Sequence, residues 1–231
     1  MENTKIIENT GMAKNIAISV RGLVKSFGDE TVLRGVTHDF EAGLIHGVVG
    51  NNGAGKTVLF KCICGFLVPE EGEVYIDGKR IGKDVDFPES IGVIIEAPGF
   101  LPNLSGFKNL KLLAALKGRA SDETIREMIF RVGLDPKSKK HVGKYSLGMK
   151  QRLGIAQAIM EDPACLILDE PFNGLDKHGI IEMRELIKSL RESGKTILIA
   201  SHNQTDIEEL CDAVYEIDAG SFSEVHSKAR M

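Results

Sequence analysis

Gly50-Asn51-Asn52-Gly53-Ala54-Gly55-Lys56-Thr57 is the stretch on which the reading of this chain turns. It follows the apolar run 44–49 and precedes the apolar run 58–67, so it joins a predicted strand to a predicted helix. In that setting the spacing G-x-x-x-x-G-K-T describes a phosphate cradle. Gly50, Gly53 and Gly55 let the backbone turn successive N–H groups inward onto phosphate oxygens. A helix starting near Lys56 adds the positive end of its dipole. Lys56 is then expected to reach the β- and γ-phosphates, and the Thr57 hydroxyl to hold Mg²⁺. With average residue usage the pattern arises by chance in about one chain in a hundred of this length. The strand–loop–helix setting leaves an ordinary glycine-rich turn as a poor rival.

A phosphate cradle needs an acidic partner from a neighbouring strand, and one is present downstream. The apolar run 165–168 ends in Asp169-Glu170. Asp169 is placed to hold Mg²⁺, and Glu170 to polarise the attacking water as general base. A carboxylate beside phosphates and a second carboxylate has its proton affinity raised, which suits that task. His202 follows a further apolar run, Thr196–Ala200. Strand C-termini are where α/β sheets bind ligands, so His202 is a candidate contact for the γ-phosphate. A solvated loop histidine is the plain alternative.

The rest of the chain fits an α/β parallel sheet with a helical subdomain inserted in its middle. Strands are predicted over 16–27, 31–40, 44–49, 73–76 and 91–95. The stretch from about Ala97 to Lys150 reads as mostly helical. Phe107, Leu110, Leu113 and Ala114 form one stripe; Ile125, Met128, Ile129 and Val132 form another behind the N-cap candidate Ser121. Runs 165–168 and 196–200 are apolar throughout, as in strands buried on both faces. Between them Ile180, Met183, Ile187 and Leu190 mark an amphipathic helix.

Composition narrows the partners. The chain has 231 residues, 42% hydrophobic and 27% charged, with a net charge of −4. That balance argues against a dedicated nucleic-acid binder, which carries a basic face. No apolar run is long enough to cross a bilayer. Met1 to Asn15 are polar, with no signal-peptide core, and predict a flexible tail of about residues 1–15 on a cytosolic protein. Cys62 and Cys64 are spaced poorly for a metal, and all four cysteines read as reduced thiols. No zinc site is predicted.

Tyr145-Ser146-Leu147-Gly148-Met149-Lys150-Gln151-Arg152 resembles the signature of the ATP-binding cassette (ABC) proteins. The order of phosphate loop, signature, acidic strand, Asn173-Gly174-Leu175-Asp176 and Ser201-His202 is similar to that family over residues 16–222. The resemblance implies an antiparallel β subdomain beside the P-loop core, and a head-to-tail dimer with two ATPs between the subunits. By it, residues Gly50, Asn51, Asn52, Gly53, Ala54, Gly55, Lys56, Thr57 and Val58 bind nucleotide, and Phe27 stacks on adenine. Ser146 and Gly148 contact the γ-phosphate held by the second ATPase subunit, and Asp176 belongs to the loop linking the two sites. An integral membrane permease is the other implied partner, placing the chain on the inner face of the cell membrane. ATP and Mg²⁺ are the implied ligands, with Mg²⁺ shared by Thr57, Asp169 and Glu96.

Two departures from the family pattern stand out. Tyr145, Leu147 and Met149 replace the usual signature residues, and Glu96 occupies the position of a usual glutamine. Residues 96–106, taken with 145–149, resemble the ATPases of bacitracin- and lantibiotic-type peptide transporters. Two other classes compete: a soluble mechanical ATPase acting on DNA, ribosomes or an iron–sulfur scaffold, and a small-molecule P-loop kinase. The first lacks a coiled-coil insertion, a second cassette or a basic stripe here; the second gives no reason for the signature.

Overall fold

The computed structural model describes residues 15–96 and 98–227. The expected tail lies outside the described residues except for Asn15, as does Ala97. Two sheets organise the rest. The first is antiparallel and contains β1 (Ile16–Phe27), β2 (Glu30–Glu41), β4 (Glu71–Ile76) and β5 (Lys79–Arg80), in the order β2-β1-β4-β5. The second holds β3 (Ile45–Val49), β6 (Ile91–Ile94), β7 (Cys165–Asp169), β8 (Thr196–Ala200), β9 (Ala213–Asp218) and β10 (Ser221–Ser227). Its order is β10-β9-β3-β8-β7-β6, parallel except where β10 returns against β9.

The apolar runs are explained by burial on both faces. Side chains alternate across a strand, and here the alternation feeds two cores. Leu166, Leu168, Ile197 and Ile199 enter one with the helical segments. Cys165, Ile167, Leu198 and Ala200 enter the other, with the antiparallel sheet and helix α1 (Lys56–Ile63). Truncating Leu166 or Leu168 to Ala removes packing from a fully enclosed site and costs about 2–5 kcal/mol.

Helix α1 begins two residues earlier than the apolar run and stops four residues sooner. Gly55, at φ 111°, supplies its left-handed N-cap. At the other end the Gly65 N–H bonds the Cys62 carbonyl and the Phe66 N–H bonds that of Lys61, with Gly65 at φ 77°. That is a Schellman stop, which overrides the apolar continuation.

Within the expected helical stretch lie α2 (Gly106–Lys117), α3 (Asp122–Arg131), a single 3₁₀ turn at Val142–Lys144, and the start of α4 (Leu147–Ile159). Ser121 caps α3, accepting from the Thr124 N–H at 3.1 Å. Helix α4 runs nine residues past Lys150, because Leu153, Ile155, Ala156 and Ile159 are core residues. It lies close on β6, where a Cβ at Gly92 would collide with the Ala158 carbonyl. Helix α5 (Lys177–Glu192) covers the same core through Met183, Ile187 and Leu190. Sequence reading passed over α6 (Gln204–Leu210) and the β9–β10 hairpin. Its turn, Ala219-Gly220, has both φ angles positive, the type I′ geometry that matches strand twist.

Candidate nucleotide site

Strand β3 delivers the glycine loop to the C-terminal end of the parallel sheet. Gly50 has φ 147°, and a Cβ there would collide with the Ile217 carbonyl. Only glycine lets the loop leave the strand so close to β9. At the far end of the loop Lys56, 7% exposed, folds its Nζ back onto the Gly50 and Asn51 carbonyls at 2.6 and 3.1 Å. The ammonium is thus held over the concave side of the loop.

Two acidic strand ends meet that loop. The Thr57 hydroxyl donates to Asp169 Oδ2 at 2.5 Å, joining α1 to the end of β7. Burial pushes the Asp169 carboxyl above its ordinary range, with the Glu170 and Glu96 charges adding and the Thr57 hydroxyl and Lys56 opposing. Glu170 follows with φ 50°, a left-handed conformation rare for a non-glycine residue. Its backbone is fixed by three bonds: its N–H donates to the Ala200 carbonyl at 2.9 Å, and its carbonyl accepts from Gln151 Nε2 and from the Asn173 N–H, each at 3.2 Å. Its carboxylate Oε2 lies 2.8 Å from His202 Nδ1.

Glu96 repeats the pattern on the next strand, just beyond β6, at φ 61°. Lys61 Nζ pairs with its Oε1 at 2.6 Å. Two of the five described non-glycine residues with positive φ therefore bring carboxylates to the same place. Backbone strain of this kind collects at functional sites.

A cavity of about 690 Å³ gathers these groups. Asn52, Gly53, Gly55, Lys56, Thr57 and Val58 line one side, and Asp169, Glu170 and Glu96 the other. Phe27, 49% exposed, stands at its mouth with Lys25 Nζ 5.3 Å from the ring centre. Gly50, Asn51 and His202 line instead a second cavity of about 840 Å³ behind the loop, floored by Val49, Ile207, Cys211 and Val214. That space meets neither Lys56 nor the carboxylates, so the chemistry belongs to the first. His202 reaches the first cavity through Glu170.

Ser146 and Gly148 are placed apart from both. Exposed Ser146 caps α4, accepting from the Met149 N–H at 3.2 Å. A Cβ on Gly148 would stand 2.6 Å from the Gly174 carbonyl, so the signature turn is seated on the 173–174 turn. Only Leu147, between them, reaches the cavity rim. Asp176 caps α5 through the Gly179 N–H at 2.8 Å. Sequence reading gave no role to Gln151 or Lys61. Lys61 lies four residues beyond Thr57 on α1, a spacing that puts both on one helix face.

The oxygen donors of Thr57, Asp169 and Glu96 suit a hard divalent cation such as Mg²⁺. A glycine loop, lysine and acidic strand end in this order on a parallel sheet define the P-loop nucleoside triphosphatases. Comparison with known proteins narrows that class. The family described as ABC transporter matches residues 33–173. An uncharacterized ABC transporter ATP-binding protein, YybJ of Bacillus subtilis (strain 168), is 44% identical over 203 residues, covering 88% of this chain and 93% of its own. The bacitracin transport ATP-binding protein BcrA of Enterococcus faecalis is 40% identical over 227 residues, 95% of this chain and 74% of its own. The lantibiotic transport ATP-binding protein SrtF of Streptococcus pyogenes is 39% identical over 198 residues, 85% of each. A solved ATP-binding subunit of an ABC transporter superposes with TM-score 0.81 at 27% identity, covering 90% of both chains. A dimeric cassette solved in a post-hydrolysis state with ADP and Pi shares the fold, with TM-score 0.80 at 22% identity over 91% of this chain and 99% of its own. The chain belongs to the ABC transporter ATPases, as an ATP-binding, ATP-hydrolysing subunit.

Proposed function

We propose that this subunit pairs head-to-tail with a second ATPase subunit, holds Mg-ATP at each composite site, and drives a membrane permease that exports antimicrobial peptides or confers resistance to them. The observation that carries the site is the Thr57–Asp169 contact at 2.5 Å, with Lys56 and Glu170 lining the same cavity. Loop amides and Lys56 bind the β- and γ-phosphates; Phe27 offers a ring to the base. Thr57 and Asp169 hold Mg²⁺, with Glu96 within the same cavity. Bound there, the ion neutralises phosphate charge.

Glu170 takes a proton from water as its oxygen bonds the γ-phosphorus. The bond from that phosphorus to the bridging oxygen breaks, the electron pair leaves with ADP, and inorganic phosphate forms. His202 holds the carboxylate that receives the proton. Ser146 and Gly148, unused by their own chain's cavity, serve the γ-phosphate of the second subunit, where the start of α4 favours an anion.

Support for the peptide branch comes from the likeness to the bacitracin and lantibiotic transport proteins. Support for a docked permease comes from Phe66 and Phe87, both more than half exposed with ring centres 6.2 Å apart, beside a cleft lined by Glu96, Pro98 and Gly99. No described helix is long and apolar enough to cross a membrane, so attachment to its inner face rests on that partner. The helical subdomain of about residues 97–150 carries the motion to it.

Glu170→Gln tests the chemistry. It should keep ATP binding, lower turnover on the order of 10³-fold and trap a closed dimer. A fully active variant refutes the base. Co-purification with a polytopic membrane protein tests the permease; its repeated absence from detergent extracts counts against transport.

A further inference from the structure

His202 is 66% exposed on its side chain, yet its Nδ1 stands 2.8 Å from Glu170 Oε2. An exposed ring holds one orientation only if the backbone beneath it is fixed. The residues on either side of it are fixed from below. The Asn203 N–H donates to Ser201 Oγ at 3.1 Å, and that hydroxyl donates to Asp206 Oδ2 at 2.9 Å. Asp206, only 2% exposed, accepts at its other oxygen from Arg184 Nε at 2.9 Å and Nη2 at 2.5 Å. Arg184 also pairs with Glu209 through Nη1 at 2.9 Å. Arg184 comes from α5, the helix capped by Asp176, and Asp206 from α6, so two helices converge on one strand end.

We propose that Ser201, Asp206 and Arg184 are positioning residues for the hydrolysis step: a buried chain that sets the His202 backbone, and through it the Glu170 carboxylate. This rests on the reading of Glu170 and His202 given above.

A plain structural staple is the competing account. Buried ion pairs of this kind add little stability over apolar packing of the same shape, so stability alone does not account for this one. Here one end of the chain of bonds is the hydroxyl that brackets His202, and the other is the exposed Glu209 carboxylate. Both oxygens of Asp206 are committed, one to the guanidinium and one to that hydroxyl, so the carboxylate cannot tilt without releasing one of them. Because Arg184 lies two turns along the helix that Asp176 caps, a movement of that cap has a rigid path to His202.

Removing Arg184 or Asp206 strands a buried charge and endangers the fold, so the decisive variant is Ser201→Ala, with Ser201→Thr as the hydroxyl-restoring control. Turnover, KM for ATP, thermal midpoint and binding of a fluorescent ATP analogue are measured in the wild-type and His202→Ala backgrounds. Expected is a loss of kcat on the order of tenfold in Ser201→Ala. Analogue binding, KM and midpoint should stay near wild type, and Ser201→Thr should recover most of the turnover. In the His202→Ala background, which is itself slow, Ser201→Ala should add nothing, because residues acting as one unit are not additive. An equal loss in both backgrounds overturns the proposal, as does unchanged kcat in Ser201→Ala beside a slow His202→Ala. If His202→Ala turns over at the wild-type rate, the catalytic reading of His202 fails first and this inference falls with it.

Discussion

The phosphate-loop half of the site and the signature turn are built to different degrees of completeness. In the first, Lys56, Thr57, Asp169, Glu170 and His202 come from three separate stretches: Thr57 meets Asp169 at 2.5 Å, Glu170 meets His202 at 2.8 Å, and Lys56 is pinned to the Gly50 carbonyl at 2.6 Å. In the second, Ser146 is exposed and its hydroxyl caps its own helix, accepting from the Met149 N–H. Yet the turn is not loose: a Cβ on Gly148 would collide with the Gly174 carbonyl, and one on Gly174 with the Leu147 side chain. It is a capped helix start presented to solvent, the place where the proposed second subunit would meet it. On the proposed head-to-tail pairing, each chain supplies the phosphate-loop half of one site and the signature half of another, and turnover becomes a property of pairing.

Lys56 is the cation of the phosphate-loop half. Lys56→Ala removes the cation from the concave side of the loop and should lower turnover about 10²-fold, with weakened ATP retention. Turnover near wild type, measured by phosphate release, would show that the loop does not hold the phosphates. Ser146→Glu should act next most strongly, on the order of tenfold, by placing a carboxylate where an anion is received, while leaving ATP binding to the isolated chain intact. The two impaired variants then test pairing directly. In an equal mixture, random pairing leaves one intact composite site in each mixed dimer, so about a quarter of wild-type sites return. No recovery on mixing, with dimers confirmed by scattering, would mean that both halves act within one chain.

Lys61 adjusts the charge of the same half of the site. Its pairing with Glu96 neutralises a carboxylate that otherwise adds charge beside Asp169 and Glu170. The pair is partly exposed, and exposed pairs contribute about 0–1 kcal/mol. Lys61→Met is therefore expected to weaken metal-free ATP binding only about threefold to fivefold. Glu96→Gln added to it should cancel the loss; a persistent deficit in the double variant, read by calorimetry, would place the effect elsewhere.

Legibility in the sequence followed the range of the interactions. The loop, its strand and helix, and the two apolar strands β7 and β8 were readable because their signals are local and their burial two-sided. Strand β10 was not, since nearly all its side chains are exposed and its turn residues, Ala219-Gly220, are unremarkable without φ angles. The end of the helical stretch was set too early at Lys150, because the glycine and polar residues of the signature hide the apolar face that follows. Asp169 and Glu170 were legible as a pair, whereas the Lys61–Glu96 and Arg184–Asp206 partnerships were not. Each joins charges far apart in sequence, which no spacing rule connects. Glu96 itself was noticed only as a departure from a family pattern; its strained backbone is a property of the fold.

Strand β3 carries the phosphate loop and buries a histidine. His46 on β3 is 1% exposed, with Nε2 2.8 Å from the Glu41 carbonyl and its ring 5.2 Å from that of Phe40. Burial holds its proton affinity below the ordinary value, opposed by the Glu41 carbonyl and by the charges of Asp212, Glu41 and Glu224. The unfolded chain thus takes up a proton near pH 6.5 where the folded one does not. Stability from His46 is complete above that pH and is lost as pH falls through the lowered folded value. The loss should loosen β3 and the loop it carries, while α2 and α3, packed in the other core, keep their order. His46→Gln retains an N–H for the Glu41 carbonyl and removes the titration. It should flatten the acid side of the Tm curve by about a few degrees. Hydrogen exchange on the wild type should show β3 amides losing protection first as pH falls. Equal loss in β3 and α3 would mean that the two regions are not separable in this way.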